Sequence, residues 1–158
     1  MHLRRRRRKR APGEWPERQG RARVLVEEAD PASGWVVEKL LQSEGYDVAV
    51  CGGPEILGRC FLVEDGRRPL AEGADVVLNT LSLSQPDRRE VVEALSVRLP
   101  GTAVIVGVPL PQAAEHAVLL EGCRLMDFPP TSGTMKREVR EALAKRTVLC
   151  DWRWWSRG

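Results

Sequence analysis

The eight residues Ala74-Asp75-Val76-Val77-Leu78-Asn79-Thr80-Leu81 decide the fold. Val76, Val77 and Leu78 follow one another without alternation, the pattern of a strand buried on both faces, as in the middle of a parallel sheet. The chain turns polar where that strand should emerge. In open parallel sheets the chemistry lies just beyond the carboxyl ends of the strands, so Asn79 and Thr80 occupy the place of an expected reactive group. Neither is reactive by itself.

Upstream, Arg23 to Val26 reads as a first strand, and Trp35, Val36, Val37, Leu40 and Leu41 then recur at helical spacing. Asp30-Pro31 starts that helix: the Asp side chain can accept from free backbone N–H groups, and Pro at the first helical position forgoes an N–H that would be unpaired anyway. Asp30 is therefore read as a cap rather than a catalyst. Gly45 ends the helix, and Tyr46 to Cys51 supply the second strand. From Gly52 to Gly73 the chain is irregular where a crossover helix is expected. Gly58, Gly66 and Pro69 interrupt its apolar residues, which predicts a long loop or small hairpin, with a short helix begun at Ile56 and Leu57. Gly52-Gly53 reads as a turn, the alternative being a phosphate cradle, for which no supporting glycine pattern surrounds it.

Downstream, Ser84-Gln85-Pro86-Asp87 opens a helix carrying Val91, Val92, Leu95 and Val97. Thr102 to Val108 is a second fully apolar strand, followed by a helix over about 112–120, a fifth strand from Cys123 to Phe128, and a last helix marked by Met135, Val139 and Leu143. Strands alternating with helices predict a doubly wound α/β sandwich with a five-stranded parallel sheet. The expected division is a disordered basic arm over 1–21, one α/β domain over 22–146, and a Trp-rich tail over 147–158.

The formal charge of +3 hides an asymmetry: residues 4–10 hold seven of the 25 basic side chains, leaving 18 against 22 acidic ones elsewhere. The arginine run Arg4, Arg5, Arg6, Arg7 and Arg8 cannot bury apolar surface; it reads first as a solvated tail or a misplaced translation start, the alternative being phosphate contacts with nucleic acid or an anionic surface. Cys51, Cys60, Cys123 and Cys150 show no CxxC spacing, and no apolar signal core follows the basic start, so a reducing cytoplasm is the expected setting. A site joining Cys51, Cys60 and His116 matches no zinc signature, and the thiols read instead as buried and inert. No apolar run reaches the roughly 18 residues of a membrane helix.

The order of elements resembles response-regulator receiver domains across about residues 22–146. Val24-Leu25-Val26-Glu27-Glu28-Ala29-Asp30-Pro31 resembles their acidic first loop, and Ala74 to Leu81 the strand ending in the phospho-accepting aspartate. Thr102 to Val108 is similar to the strand ending in a switch hydroxyl, and Asp127-Phe128-Pro129-Pro130 to the segment ending in Lys-Pro. The resemblance implies a flavodoxin-like strand order 2-1-3-4-5. It also implies a degenerate site. Glu28, next to Glu27 in the acidic loop, stands for one of the two metal-binding acids, and Ala29 falls where the second belongs. Asn79 or Thr80 replaces the nucleophilic aspartate, Val108 the hydroxyl, and Pro129 the lysine.

Phosphorylation of that kind needs a carboxylate nucleophile, Mg²⁺ held by several oxygens, and a cation on the transferred group. The residues present therefore imply a non-enzymatic pseudo-receiver that holds no metal or cofactor and uses one face to bind a protein. Two other readings stand beside it: a small-molecule or nucleotide site over Glu27, Glu28, Asn79, Thr80 and Gly107, and a nucleic-acid-associated protein working through the arginine arm. Trp152, Trp154 and Trp155 gather after the fold is nominally complete. They read either as an interface for a partner or a second copy, or as a cap packed back on the domain.

Overall fold

The computed structural model describes residues 13–54, 58 and 60–155, with side chains as far as Lys145. Its centre is a five-stranded, all-parallel sheet in the order β2-β1-β3-β4-β5, the order the sequence led us to expect. The strands are β1 (Arg23–Glu27), β2 (Asp47–Cys51), β3 (Val76–Asn79), β4 (Ala103–Val108) and β5 (Arg124–Asp127). Every residue of β3 is buried, as the run Val76 to Leu78 requires. Val76 and Leu78 face a core with Val24, Val26, Ile105, Met126, Met135 and Val139. Val77 faces the opposite core with Leu25, Val91, Leu95, Val104 and Val106.

The first of these cores is covered by α1 (Pro31–Ser43) and by the last helix, α6 (Ser132–Trp155). Asp30 caps α1 as expected, its carboxylate accepting from the Ser33 amide at 2.9 Å and the Ser33 hydroxyl at 2.6 Å. Gly45, at φ 89°, then turns the chain in the left-handed region that glycine adopts freely. The second core is covered by α4 (Pro86–Arg98) and by the crossover before β3.

That crossover is neither an open loop nor a hairpin. Among its described residues are two single-turn helices, α2 (Phe61–Glu64) and α3 (Pro69–Glu72), which bury Leu62 and Ala71. Gly66, with positive φ, breaks the chain between them, and Pro69 restarts it as the first helical residue of α3. The helix start expected at Ile56 and Leu57 lies outside the described residues. The helix expected over 112–120 is shorter and earlier: α5 spans Leu110–Glu115, with turns to Gly122. Pro111 falls inside its first turn, where a missing N–H is tolerated, so Pro109 and Pro111 begin this helix rather than delaying it.

The expected disorder over 1–21 also needs correction for its second half. Residues 13–21 form an irregular but docked strap. Trp15 packs on the second core, and its indole N–H donates to the Leu70 carbonyl at 2.8 Å. The Arg23 guanidinium stacks 5.5 Å from the Trp15 ring and donates to the Pro16 carbonyl, while Arg18 pairs with Asp75 at 3.1 Å. One large aromatic surface, met by an apolar bed, outweighs the polar composition around it. Arg4 to Arg8 lie outside the described residues. At the other end α6 continues to Trp155 without a break. No helix among the described residues is long and apolar enough to cross a membrane.

Candidate functional site at the carboxyl end of the sheet

Parallel register sets Glu27 beside Cys51 on one side and beside Asn79 on the other. The three side chains thus form one row across β2, β1 and β3, on the face shared by Leu25 and Val77. Glu27 and Asn79 are completely buried. Asn79 therefore does not present its amide at an open site. Its Oδ1 accepts from the Leu81 amide at 3.1 Å, bending the chain out of β3.

A buried carboxylate needs a partner. Glu27 has one in Arg68, the residue that precedes α3, whose guanidinium donates to Glu27 Oε1 in a contact shielded from solvent. Burial disfavours the Arg68 charge, but the Glu27 carboxylate, its hydrogen bond and the neighbouring Cys51 and Cys60 together hold the guanidinium above its ordinary range. Around the pair, Cys51, Gly53, Cys60, Phe61 and Val91 leave about 10 Å³, room for a single water at most. Burial, reinforced by the Glu27 charge, pushes the Cys51 thiol up to about 11. Glu27 Oε2 and Asn79 Nδ2 have no hydrogen-bond partner among the described residues.

The second acid is engaged as well. Thr80 lies one residue past β3, where its amide donates to the Glu27 carbonyl at 2.9 Å. Its hydroxyl lies 2.9 Å from the same carbonyl and 2.5 Å from Glu28 Oε2. The other Glu28 oxygen accepts from the Asp30 amide at 3.0 Å. Glu28 thus closes the loop between β1 and α1 against the end of β3.

On the far side the space over Gly107 is filled by the protein itself. A Cβ built there would stand 3.3 Å from the Phe128 ring, 3.3 Å from the Met126 methyl and 3.5 Å from the Thr80 methyl. Close approach at Gly107 therefore serves internal packing, where sequence reasoning had placed a ligand. Val108 is buried and pairs in register with Asp127, the last residue of β5. The first residue beyond β5 is consequently Phe128, whose ring lies over Gly107, and a cis bond joins Phe128 to Pro129.

The remaining candidates stay apart. Cys51 and Cys60 are buried in the second core, whereas His116 ends α5 in a groove against α4. Among the described residues no three His, Cys, Asp or Glu side chains gather to hold a metal ion. Gly53 is locked by its amide donating to Cys51 Sγ at 3.4 Å, but Gly52 borders an open groove of about 600 Å³ shared with Gly13, Phe61, Arg67 and Leu70. The side chains of Trp152, Trp154 and Trp155 lie outside the described residues. The residue missed from sequence is Arg68. Its only signal was indirect: an acid at the end of an apolar strand demands a cation, without saying from where.

No protein-family model matches the chain, and no curated protein matches it in sequence. Solved structures do. The chain resembles a response regulator receiver domain protein from Clostridium thermocellum, at 17% identity and a TM-score of 0.64, over 81% of this chain and 98% of that one. A CheY-like receiver domain protein from Methanospirillum hungatei aligns at 19% identity and a TM-score of 0.62, over 80% and 97%. A structure described as adenylate cyclase from Rhodopirellula baltica aligns at 16% and 0.64, over 87% and 98%. With the strand order and the helices on both faces of the sheet, these likenesses give the chain the CheY-like receiver fold.

Proposed function

We propose that the chain is a non-phosphorylatable pseudo-receiver: a signalling module, not an enzyme, that keeps the receiver fold and acts by binding a protein. The observation that carries this reading is the buried Glu27–Arg68 pair. A receiver's acids leave their oxygens for Mg²⁺, and the metal neutralises the incoming phosphoryl group. Here Glu27 is neutralised by the chain's own guanidinium, Glu28 is tied to the Thr80 hydroxyl and the Asp30 amide, and Ala29 offers no oxygen where the second acid belongs. Thr80 offers a hydroxyl where a carboxylate nucleophile belongs, and Phe128 offers a ring where a cation belongs. Those donors do not fit a divalent cation.

An interaction module of this type binds its partner the same way whatever the phosphoryl donor. The test is a pull-down from native cytoplasmic lysate by the full chain, with and without Mg²⁺ and acetyl phosphate. A partner retained equally in both supports the reading, and one retained only with the donor present overturns it.

The groove beside Gly52 favours a second reading, a small-molecule site displaced from the strand ends to the edge of the crossover. Thermal-shift screening of nucleotides and metabolites tests it, since a ligand specific to the folded state raises the melting temperature by mass action. Nucleic-acid binding rests on the arginine run alone. It fails if deleting residues 1–10 leaves binding at low salt unchanged.

A further inference from the structure

A groove of about 760 Å³ lies between α4 and the turns that follow α5, floored by Val97, Ala117, Val118 and Leu119. Val97 is 71% exposed and Val118 88%, so branched apolar side chains stand in water here. Glu93, Glu115 and Glu121 border them, and no Lys or Arg lines the groove. None of these three carboxylates has an ion-pair or hydrogen-bond partner among the described residues. An apolar floor ringed by unpaired acids suits an occupant that is both apolar and cationic.

The chain carries one such segment. Residues 146–158 combine Val148, Leu149, Trp152, Trp154 and Trp155 with Arg146, Arg153 and Arg157 against the single acid Asp151. The arginine run near the amino terminus has the charge but nothing to fill an apolar groove. The course of α6 then decides whose segment it is. Among the described side chains Leu143 is the last of α6 packed against the core, and Ala142 and Lys145 already stand beside Gly101 to Ala103, at the amino end of β4. The helix runs on to Trp155, about 15 Å further at 1.5 Å per residue. It therefore projects past the sheet, and α4 lies on the opposite face. A continuous helix cannot turn back to that groove.

We propose that the groove between α4 and α5 receives the Trp- and Arg-rich carboxyl-terminal segment of a second copy of this chain. Each copy offers one groove and one segment, which closes a reciprocal dimer. The contact is independent of the carboxyl end of the sheet, so it stands or falls apart from the pseudo-receiver reading.

Sedimentation equilibrium of the full chain tests it. The parent is expected to dimerise, and Glu93→Lys with Glu121→Lys, both surface changes, to weaken the dimer about tenfold while the circular-dichroism melt is kept. Arg146→Glu with Arg153→Glu should weaken it similarly, and combining the two sets should restore it. A parent that stays monomeric at every accessible concentration overturns the proposal, as does a dimer indifferent to either set of reversals. A dimer lost on deleting residues 1–10 but kept on replacing Trp152 and Trp155 by Ser would assign the groove to the arginine run and also overturn it.

Discussion

Replacing Arg68 by Met keeps most of the side-chain volume and removes the cation that meets a fully buried carboxylate. Breaking a buried ion pair from one side costs about 3–5 kcal/mol, because the remaining charge is stranded in a medium that solvates it poorly. Glu27 already has one oxygen without a described partner and about 10 Å³ around it, so water can offset little of that cost. Against a typical total stability of about 5–15 kcal/mol, the loss should lower the melting temperature by roughly 6–20 °C. Urea unfolding followed by circular dichroism would measure it. Removing both charges together, as Glu27→Leu with Arg68→Met, should return most of the stability, since an apolar pair of similar volume avoids desolvation altogether. A single-variant loss below about 1 kcal/mol, or a double variant as unstable as the single, would refute the reasoning and mark the pair as solvated or incidental.

Gly73→Ala places a Cβ 2.8 Å from the Trp15 ring, so it should displace the strap while leaving the sheet intact. Limited proteolysis within residues 13–21 should accelerate, with a red shift in tryptophan emission, while the far-ultraviolet spectrum is unchanged. Hydrogen bonds from Ser33 hold the Asp30 carboxyl below its ordinary range. A depressed acid stabilises the fold above its unfolded-state value and loses that contribution as pH falls through the folded one. Asp30→Ala should thus melt lower than the parent at pH 7, and the gap should close as the solution is acidified below about pH 4. Cys51, pushed up to about 11 by burial, should resist iodoacetamide in the native state at pH 8 and react on unfolding, which peptide mass mapping would read.

The carboxyl end of the sheet was legible from sequence in outline and misread in detail, for reasons that particular residues explain. Val76-Val77-Leu78 and Val104-Ile105-Val106 announce strands buried on both faces, and their order with the helices gives the sheet. Period-two patterning says nothing about what meets a side chain across the fold, so Arg68, 41 residues from Glu27, could not be paired with it in advance. Trp15 was lost within a polar, Pro- and Gly-rich leader, because composition averages over the one residue that docks. Phe128 was passed over because a residue beyond a strand end takes its role from register, and the pairing of Val108 with Asp127 sets that register.

The central claim is that the acids at this end cannot serve phosphotransfer, and intact-protein mass spectrometry after incubation with acetyl phosphate and Mg²⁺ tests it most directly. The account predicts an unchanged mass at all incubation times. Gain of one phosphoryl group that is labile to hydroxylamine, mapped to Glu27 or Glu28, would contradict it.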